Sequence, residues 1–194
     1  MNLVRQRTYT IKNEEGIIFM NTSNKTKKLL KMALIIAAYV AVTAVIAPFA
    51  FGNIQFRISE VLVLLAFIDP LYIPALTIGC AIANLLLSPM AIVDAIFGSL
   101  ATLIALVLIW QTKKLLARKD GYNNTFVLFI ASLWATISNA LIVGAELYYM
   151  LKLPFWFSAL EVAIGEFVVV SIIGVSVFKF ILKNENLSDK LKFN

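Results

Sequence analysis

Six carboxylates, those of Glu60, Asp69, Asp94, Glu146, Glu161 and Glu166, stand in or beside long apolar runs. A charge inside a bilayer is costly, so an intramembrane carboxylate marks a functional site by default. Such groups can accept N–H donors from a ligand, hold a cation or relay protons. Other chemistries lack their residues. The chain has no histidine and a single cysteine, Cys80. That removes the commonest general base, the usual Ser/His and Cys/His nucleophile pairs and most transition-metal ligands. One cysteine forms no intrachain disulfide, and within its apolar run Cys80 reads as a small packing residue. There is no glycine-rich phosphate loop ending in Lys-Ser/Thr, no His-Glu-x-x-His and no Gly-x-Ser-x-Gly. Neither ATP hydrolysis nor another enzymatic activity is expected, and no cofactor or metal is implied.

The elements that must position these carboxylates follow from composition. Of 194 residues, 61% are hydrophobic and 14% charged, with a mean hydropathy of +0.88. Soluble domains carry about 45–50% apolar and about 25% charged residues, so both values are displaced toward lipid. The expectation is an all-α integral membrane protein, a six-transmembrane-helix bundle with both termini cytoplasmic. A spanning helix needs about 20 apolar residues. Candidate spans run over 29–47 (stopped by Pro48), 58–68 (ended by Asp69-Pro70), 71–87 (closed by Ser88-Pro89), 90–110, 125–150 and 155–182. The second is short, so it is expected to tilt and extend backward or to start below the membrane surface. Residues 1–28 read as a polar cytoplasmic extension, expected to be disordered, in which Met20 is a second candidate start. Residues 29–183 form the membrane domain and 184–194 a charged cytoplasmic tail. A cleaved signal peptide is not expected, because the first apolar run lies behind a long polar leader and is long enough to span.

Topology follows from lysine and arginine. Arg5, Arg7, Lys12, Lys25, Lys27, Lys28 and Lys31 precede or open the first span; Lys113, Lys114, Arg118 and Lys119 lie in the fourth-to-fifth link; Lys179, Lys183, Lys190 and Lys192 lie at the end. An even number of spans puts all three groups on one side and leaves Arg57 and Lys152 for the other. The net charge of +6 is then a positive-inside signal, and no nucleic-acid partner is needed. On this topology Glu60, Asp94, Glu146, Glu161 and Glu166 fall in the outer half, with Asn84 and Asn139 approaching them, while Asp69 lies on the cytoplasmic side. Taken singly, Asp94 or Glu146 reads equally well as a helix-end group snorkelling to the interface. Glu60 has Arg57 three residues earlier as an ion-pair partner. Five acids from four helices in one leaflet point instead to a shared polar pocket open to the outside.

A second pattern is a stripe of small residues. Ala33, Ala37, Ala41 and Ala44 share one face of the first span, and small residues let helix backbones approach closely in lipid. Alone the stripe means only close helix contact, since Ala75, Gly79 and Ala83 repeat it on the third span.

The run Phe51-Gly52-Asn53-Ile54-Gln55-Phe56-Arg57-Ile58-Ser59-Glu60, followed by Ile78-Gly79-Cys80-Ala81-Ile82-Ala83-Asn84-Leu85 and Asp94-Ala95-Ile96-Phe97-Gly98-Ser99-Leu100-Ala101-Thr102, resembles the QueT family. These are queuosine-precursor transporters among the substrate-binding (S) components of energy-coupling factor (ECF) transporters. The resemblance covers about residues 28–183, and the Phe-Gly…Gln-Phe-Arg-Ile-Ser-Glu stretch is its specific part. It implies a six-helix bundle with an outward substrate site, docked through Ala33, Ala37 and Ala41 to a shared transmembrane coupling subunit that two ATPase subunits drive. It implies substrate contacts from among Gln55, Arg57, Glu60, Asn84, Asp94, Trp134, Asn139, Glu146, Glu161 and Glu166. A deazaguanine offers N–H donors that match carboxylate acceptors. An aminomethyl group adds a cation for a second carboxylate, and Trp134, Trp156 or Phe56 would stack on the ring, although Trp156 fits the interfacial aromatic belt better. The alternatives are an S component for another vitamin or nucleobase, a stand-alone proton-coupled transporter, and, last, a membrane enzyme with a carboxylate pair.

Overall fold

A computed structural model describes residues 9–13, 16–20, 24–51, 54–116 and 125–193. Arg5 and Arg7 of the leader, Gly52 and Asn53 of the Phe-Gly stretch, and Arg118 and Lys119 of the polar link lie outside the described residues. In the extension expected to be disordered, β1 (Tyr9–Asn13) and β2 (Gly16–Met20) pair antiparallel, with Ile11 opposite Ile18. Every later element is helical.

The first helix, α1 (Asn24–Val45), ends before Pro48, which sits in the single turn α2 (Ala47–Ala50). A 3₁₀ helix follows over Ile58–Phe67, then α3 (Tyr72–Leu87), α4 (Ile92–Leu116) and α5 (Thr125–Leu151). The last long rod runs as α6 (Phe155–Glu166), a π-helical stretch Phe167–Gly174 and α7 (Val175–Lys183). Asn184 caps the closing helix α8 (Glu185–Leu191) by accepting from the Leu187 N–H at 3.2 Å. Among the described residues, four helices are long and apolar enough to cross a membrane: Asn24–Val45, Ile92–Leu116, Thr125–Leu151 and Phe155–Lys183. Ile58–Phe67 and Tyr72–Leu87 are apolar but shorter.

The short second segment is wound as a 3₁₀ helix, not an α-helix. At about 2.0 Å per residue, 3₁₀ winding stretches its ten residues to about 20 Å, against about 15 Å for an α-helix. Runs of this length are uncommon because the hydrogen bonds are poorer. Here the segment lies inside the bundle, touching α1, α3, α4, α5 and the π stretch. Val63, Leu64, Ala66 and Phe67 are buried with Tyr39, Leu76, Leu106, Leu128 and Val170 around them. Packing on all sides replaces the regularity that the run lacks.

In lipid, helix association depends on close packing and interhelical hydrogen bonds more than on apolar burial. Ser132 donates to Ser171 at 2.9 Å and Thr43 to Ser59 at 2.8 Å. Glycines admit neighbouring backbones. A Cβ at Gly144 would stand 3.0 Å from Ala159 Cα, and one at Gly165 would stand 2.5 Å from the Gln55 carbonyl oxygen. The second contact seats the extended segment before the 3₁₀ helix against α6.

The two ends of the bundle differ. At one, the N-terminus of α4 meets the C-termini of α3 and α5 and the start of the 3₁₀ helix. At the other, the charged tail folds back. Lys31 Nζ donates to the Lys190 and Lys192 carbonyls, both at 2.8 Å, and lies 4.7 Å from the Phe193 ring centroid. Tyr72 Oη donates to the Leu191 carbonyl at 2.6 Å, and the Phe193 N–H to Asp69 Oδ2 at 3.0 Å. Asp69, set apart from the other acids by the sequence, therefore serves this closure.

Replacing Gly165 with alanine should cost about 1–3 kcal/mol by overpacking against backbone, lowering the thermal midpoint of the detergent-purified protein. The nearest atoms to a Cβ at Gly79 are Tyr39 Cβ at 3.2 Å and Ile36 Cα at 3.5 Å, so Gly79→Ala should cost less. Equal midpoints for parent and Gly165→Ala would contradict the packing.

Candidate functional site

The segment 54–57 turns back into the bundle in place of a loop over it. Gln55 and Arg57 are buried there, on the seat that Gly165 leaves open. Beside it lies a cavity of about 230 Å³ whose walls include Phe51, Gln55, Met90, Asp94, Phe157 and Glu161. Ligand pockets for drug-sized molecules begin at about 300 Å³, so this one suits a smaller molecule, of the size of a fused bicyclic ring.

Asp94 is held by the turn before α4. Its carboxylate accepts from Ser88 Oγ, whose oxygen in turn accepts from the Met90 N–H at 3.1 Å. Ala91 follows with a φ of 35°, an uncommon conformation for a residue with a Cβ. Asn84 clamps the same turn, its Nδ2 donating to the Asp94 carbonyl at 2.9 Å. The clamp leaves no room for a side chain opposite it, which is why position 98 is glycine: a Cβ there would overlap Asn84 Nδ2 and stand 3.5 Å from Arg57 Nη1.

Behind the cavity wall lies a second polar layer. Arg57, Glu60, Asn139, Glu146 and Glu166 are all at most 3% exposed. Glu60 is satisfied on one oxygen, which accepts from Tyr39 Oη and from Thr102 Oγ1 (3.2 Å in the latter case). The Arg57–Glu60 ion pair expected from their spacing does not form; two hydroxyls from α1 and α4 take that role. Arg57 Nε and Nη1 have no hydrogen-bond partner. The same holds for both carboxylate oxygens of Glu166, Asn139 Oδ1 and Ser158 Oγ. Glu146 finds no donor either, and its carboxyl lies against that of Asp94. Two carboxyls in such contact pair only through a shared proton. Each unpaired buried polar group costs of order 1–3 kcal/mol, more when charged.

Of the sequence-derived candidates, Gln55, Arg57, Glu60, Asn84, Asp94, Asn139, Glu146 and Glu166 are gathered at this end of the bundle. Glu161 is half-buried on the cavity wall. Trp134 is placed elsewhere. Its indole N–H donates to Thr112 Oγ1 at 2.8 Å, about 27 Å along α4 from Asp94. Phe56 packs on the core and Trp156 is largely exposed, and neither lines the cavity; Phe51 and Phe157 hold the cavity positions. Ser158 was not anticipated, yet its spacing with Val162 and Glu166 (i, i+4, i+8) places it on the inward face of α6. Among the described residues no group of three or more acidic or cysteine side chains gathers to hold a metal. Ala33, Ala37 and Ala41 lie on the opposite side of α1 from buried Tyr39 and Thr43, and all three are exposed.

The QueT transporter family matches this chain over residues 29–183. The queuosine precursor transporter QueT of Lactococcus lactis subsp. cremoris (strain MG1363) is 34% identical over 149 residues, which is 74% of this chain and 86% of that protein. No solved structure matches. Several apolar helices long enough to span and a match over most of their length make this a multi-pass membrane protein, and the chain belongs to the QueT transporter family.

Proposed function

We propose that this chain is the membrane substrate-binding subunit for uptake of a queuosine precursor of the 7-deazaguanine type, powered by partner ATPases. The observation that carries the reading is the set of buried, unpaired acceptors behind a small cavity bearing Asp94 and Glu161. A ligand rich in N–H groups supplies what these acceptors lack. The name of the Lactococcus relative supplies the ligand class. Asp94 and Glu161, at the cavity, meet the ligand's amine, and Phe51 and Phe157 cover the ring faces.

The chain has no phosphate-binding loop of its own. The resemblance to ECF substrate-binding components supplies a coupling subunit and two ATPases, and the exposed Ala33, Ala37 and Ala41 are the docking face. In the same reading all six apolar helical segments cross the membrane with both termini cytoplasmic. The 3₁₀ segment is surrounded by neighbouring helices, not lipid, for much of its length.

Three measurements test this. First, calorimetric titration with an aminomethyl deazaguanine should give binding to the parent and binding about tenfold or more weaker for Glu161→Gln and Asp94→Asn, since an amide replaces an acceptor with a donor. Parent-like affinity in both variants refutes the contacts; absence of binding by the parent refutes the ligand class. Second, Ala37→Trp should abolish uptake and co-purification of two ATPases and a shared membrane subunit, with ligand affinity unchanged. If no ATPases come down with the parent, the partner reading fails and a gradient-driven transporter takes its place. Third, in a Cys80→Ala background on intact cells, an impermeant thiol reagent should modify Leu153→Cys and spare Asp120→Cys; the reverse pattern inverts the topology.

A further inference from the structure

The polar layer behind the cavity is not uniform. Glu146 lies beside Asp94 without a hydrogen bond to it, and Asp94 opens onto the cavity. Glu60 is held by Tyr39 and Thr102. Besides Glu146, Asn139 Oδ1, Ser158 Oγ and the second Glu60 oxygen, the buried atoms without a hydrogen-bond partner include Nε and Nη1 of Arg57 and both carboxylate oxygens of Glu166, a donor group and an acceptor group. They belong to adjacent elements, because Gly165 packs on the backbone of Gln55. Each lies within electrostatic reach of the other, yet no direct bond joins them. The guanidinium stands 5.5 Å from the ring of Phe51, a wall of the cavity. An arginine offers only donors and an ionised carboxylate only acceptors. Unpaired and on adjacent elements, they present a donor and an acceptor sense.

We propose that Arg57 and Glu166 are the specificity-determining pair of this site, reading the lactam edge of a fused heterocycle. This rests on the functional reading above. Arg57 donates to the ring carbonyl, and Glu166 accepts from the adjacent ring N–H and the exocyclic amine. The amine substituent then points outward to Asp94 and Glu161. An adenine-type ring reverses both senses: an exocyclic amine faces the donors of Arg57 and a bare ring nitrogen faces the acceptors of Glu166. A site built to pair with a particular polar group rejects the analogue lacking it by large factors, because its own groups are then buried unpaired.

The test is a ratio of dissociation constants measured by calorimetry on the purified full chain. Three probes are used: 7-aminomethyl-7-deazaguanine, its O6-methyl derivative (no ring N–H at that position) and 7-aminomethyl-7-deazaadenine. The parent should prefer the first over the other two by about 100-fold or more. In Glu166→Gln, and separately in Arg57→Lys, which keeps the charge but loses the planar fork, the preference should fall to about tenfold or less. A merely structural role would weaken all three probes together and leave the ratio unchanged, which overturns the proposal. If either variant fails to fold, the parent decides alone, and binding of the O6-methyl probe as tightly as the deazaguanine overturns it. Parent binding to deazaguanine with unchanged ratios leaves the transport reading standing and removes only this pair. No binding of any probe removes both.

Discussion

Arg57 cannot shed its charge at any physiological pH, and the fold buries it to 3% exposure where bulk water does not reach. Much of this end of the bundle answers that one constraint. The extended segment 54–57 carries the guanidinium inward, Gly165 gives that segment a seat, and Gly98 leaves space beside it. Glu60 and Glu166 set carboxyl groups within electrostatic reach, and neither bonds to it directly. A buried ion pair recovers its desolvation cost only with close geometry and further hydrogen bonds. This arrangement stops short of that, so part of the desolvation cost stays uncompensated.

The gathering of acids at one end was legible because each interrupts an apolar run, and the positive-charge asymmetry assigns their end of the helices. The role of Glu60 was not legible. Its partners Tyr39 and Thr102 lie on helices far away in sequence, and local spacing pointed to Arg57 instead. Nor was the 3₁₀ winding, since an unbroken run of Val, Leu, Ala and Phe carries no period from which to tell it from an α-helix. Trp134 was misplaced for a related reason. An aromatic residue in a span is compatible with either end of the helix, and the deciding contact with Thr112 again comes from another element. Phe51 and Phe157 were present in the sequence as ordinary aromatics; only the return of the chain at 54–57 makes them walls.

The bundle divides its labour by depth. One end leaves buried polar groups unpaired; at the other, Lys31, Asp69 and Tyr72 are bonded to the closing residues. Lys113 Nζ likewise donates to the Ile68 carbonyl at 2.9 Å. Between them the core is apolar and held by close contacts such as that of Gly144 with Ala159. α1 stands partly outside this arrangement, burying only Tyr39 and Thr43. It gives one hydroxyl to Glu60 and turns a face of small side chains away from the bundle.

The 3₁₀ helix constrains how chains of this kind can change in length. With three residues per turn, each residue advances the side-chain direction by a third of a circle. The segment meets different neighbours on its three faces, with Glu60, Val63 and Ala66 on one of them. Gain or loss of a single residue within Ile58–Phe67 would rotate all later side chains onto the wrong faces relative to Glu60, whereas a change of three restores the phase and alters only reach. Natural variation here should therefore proceed by substitution or in steps of three, unlike the α-helical spans, where steps of three or four return only approximately to the same direction.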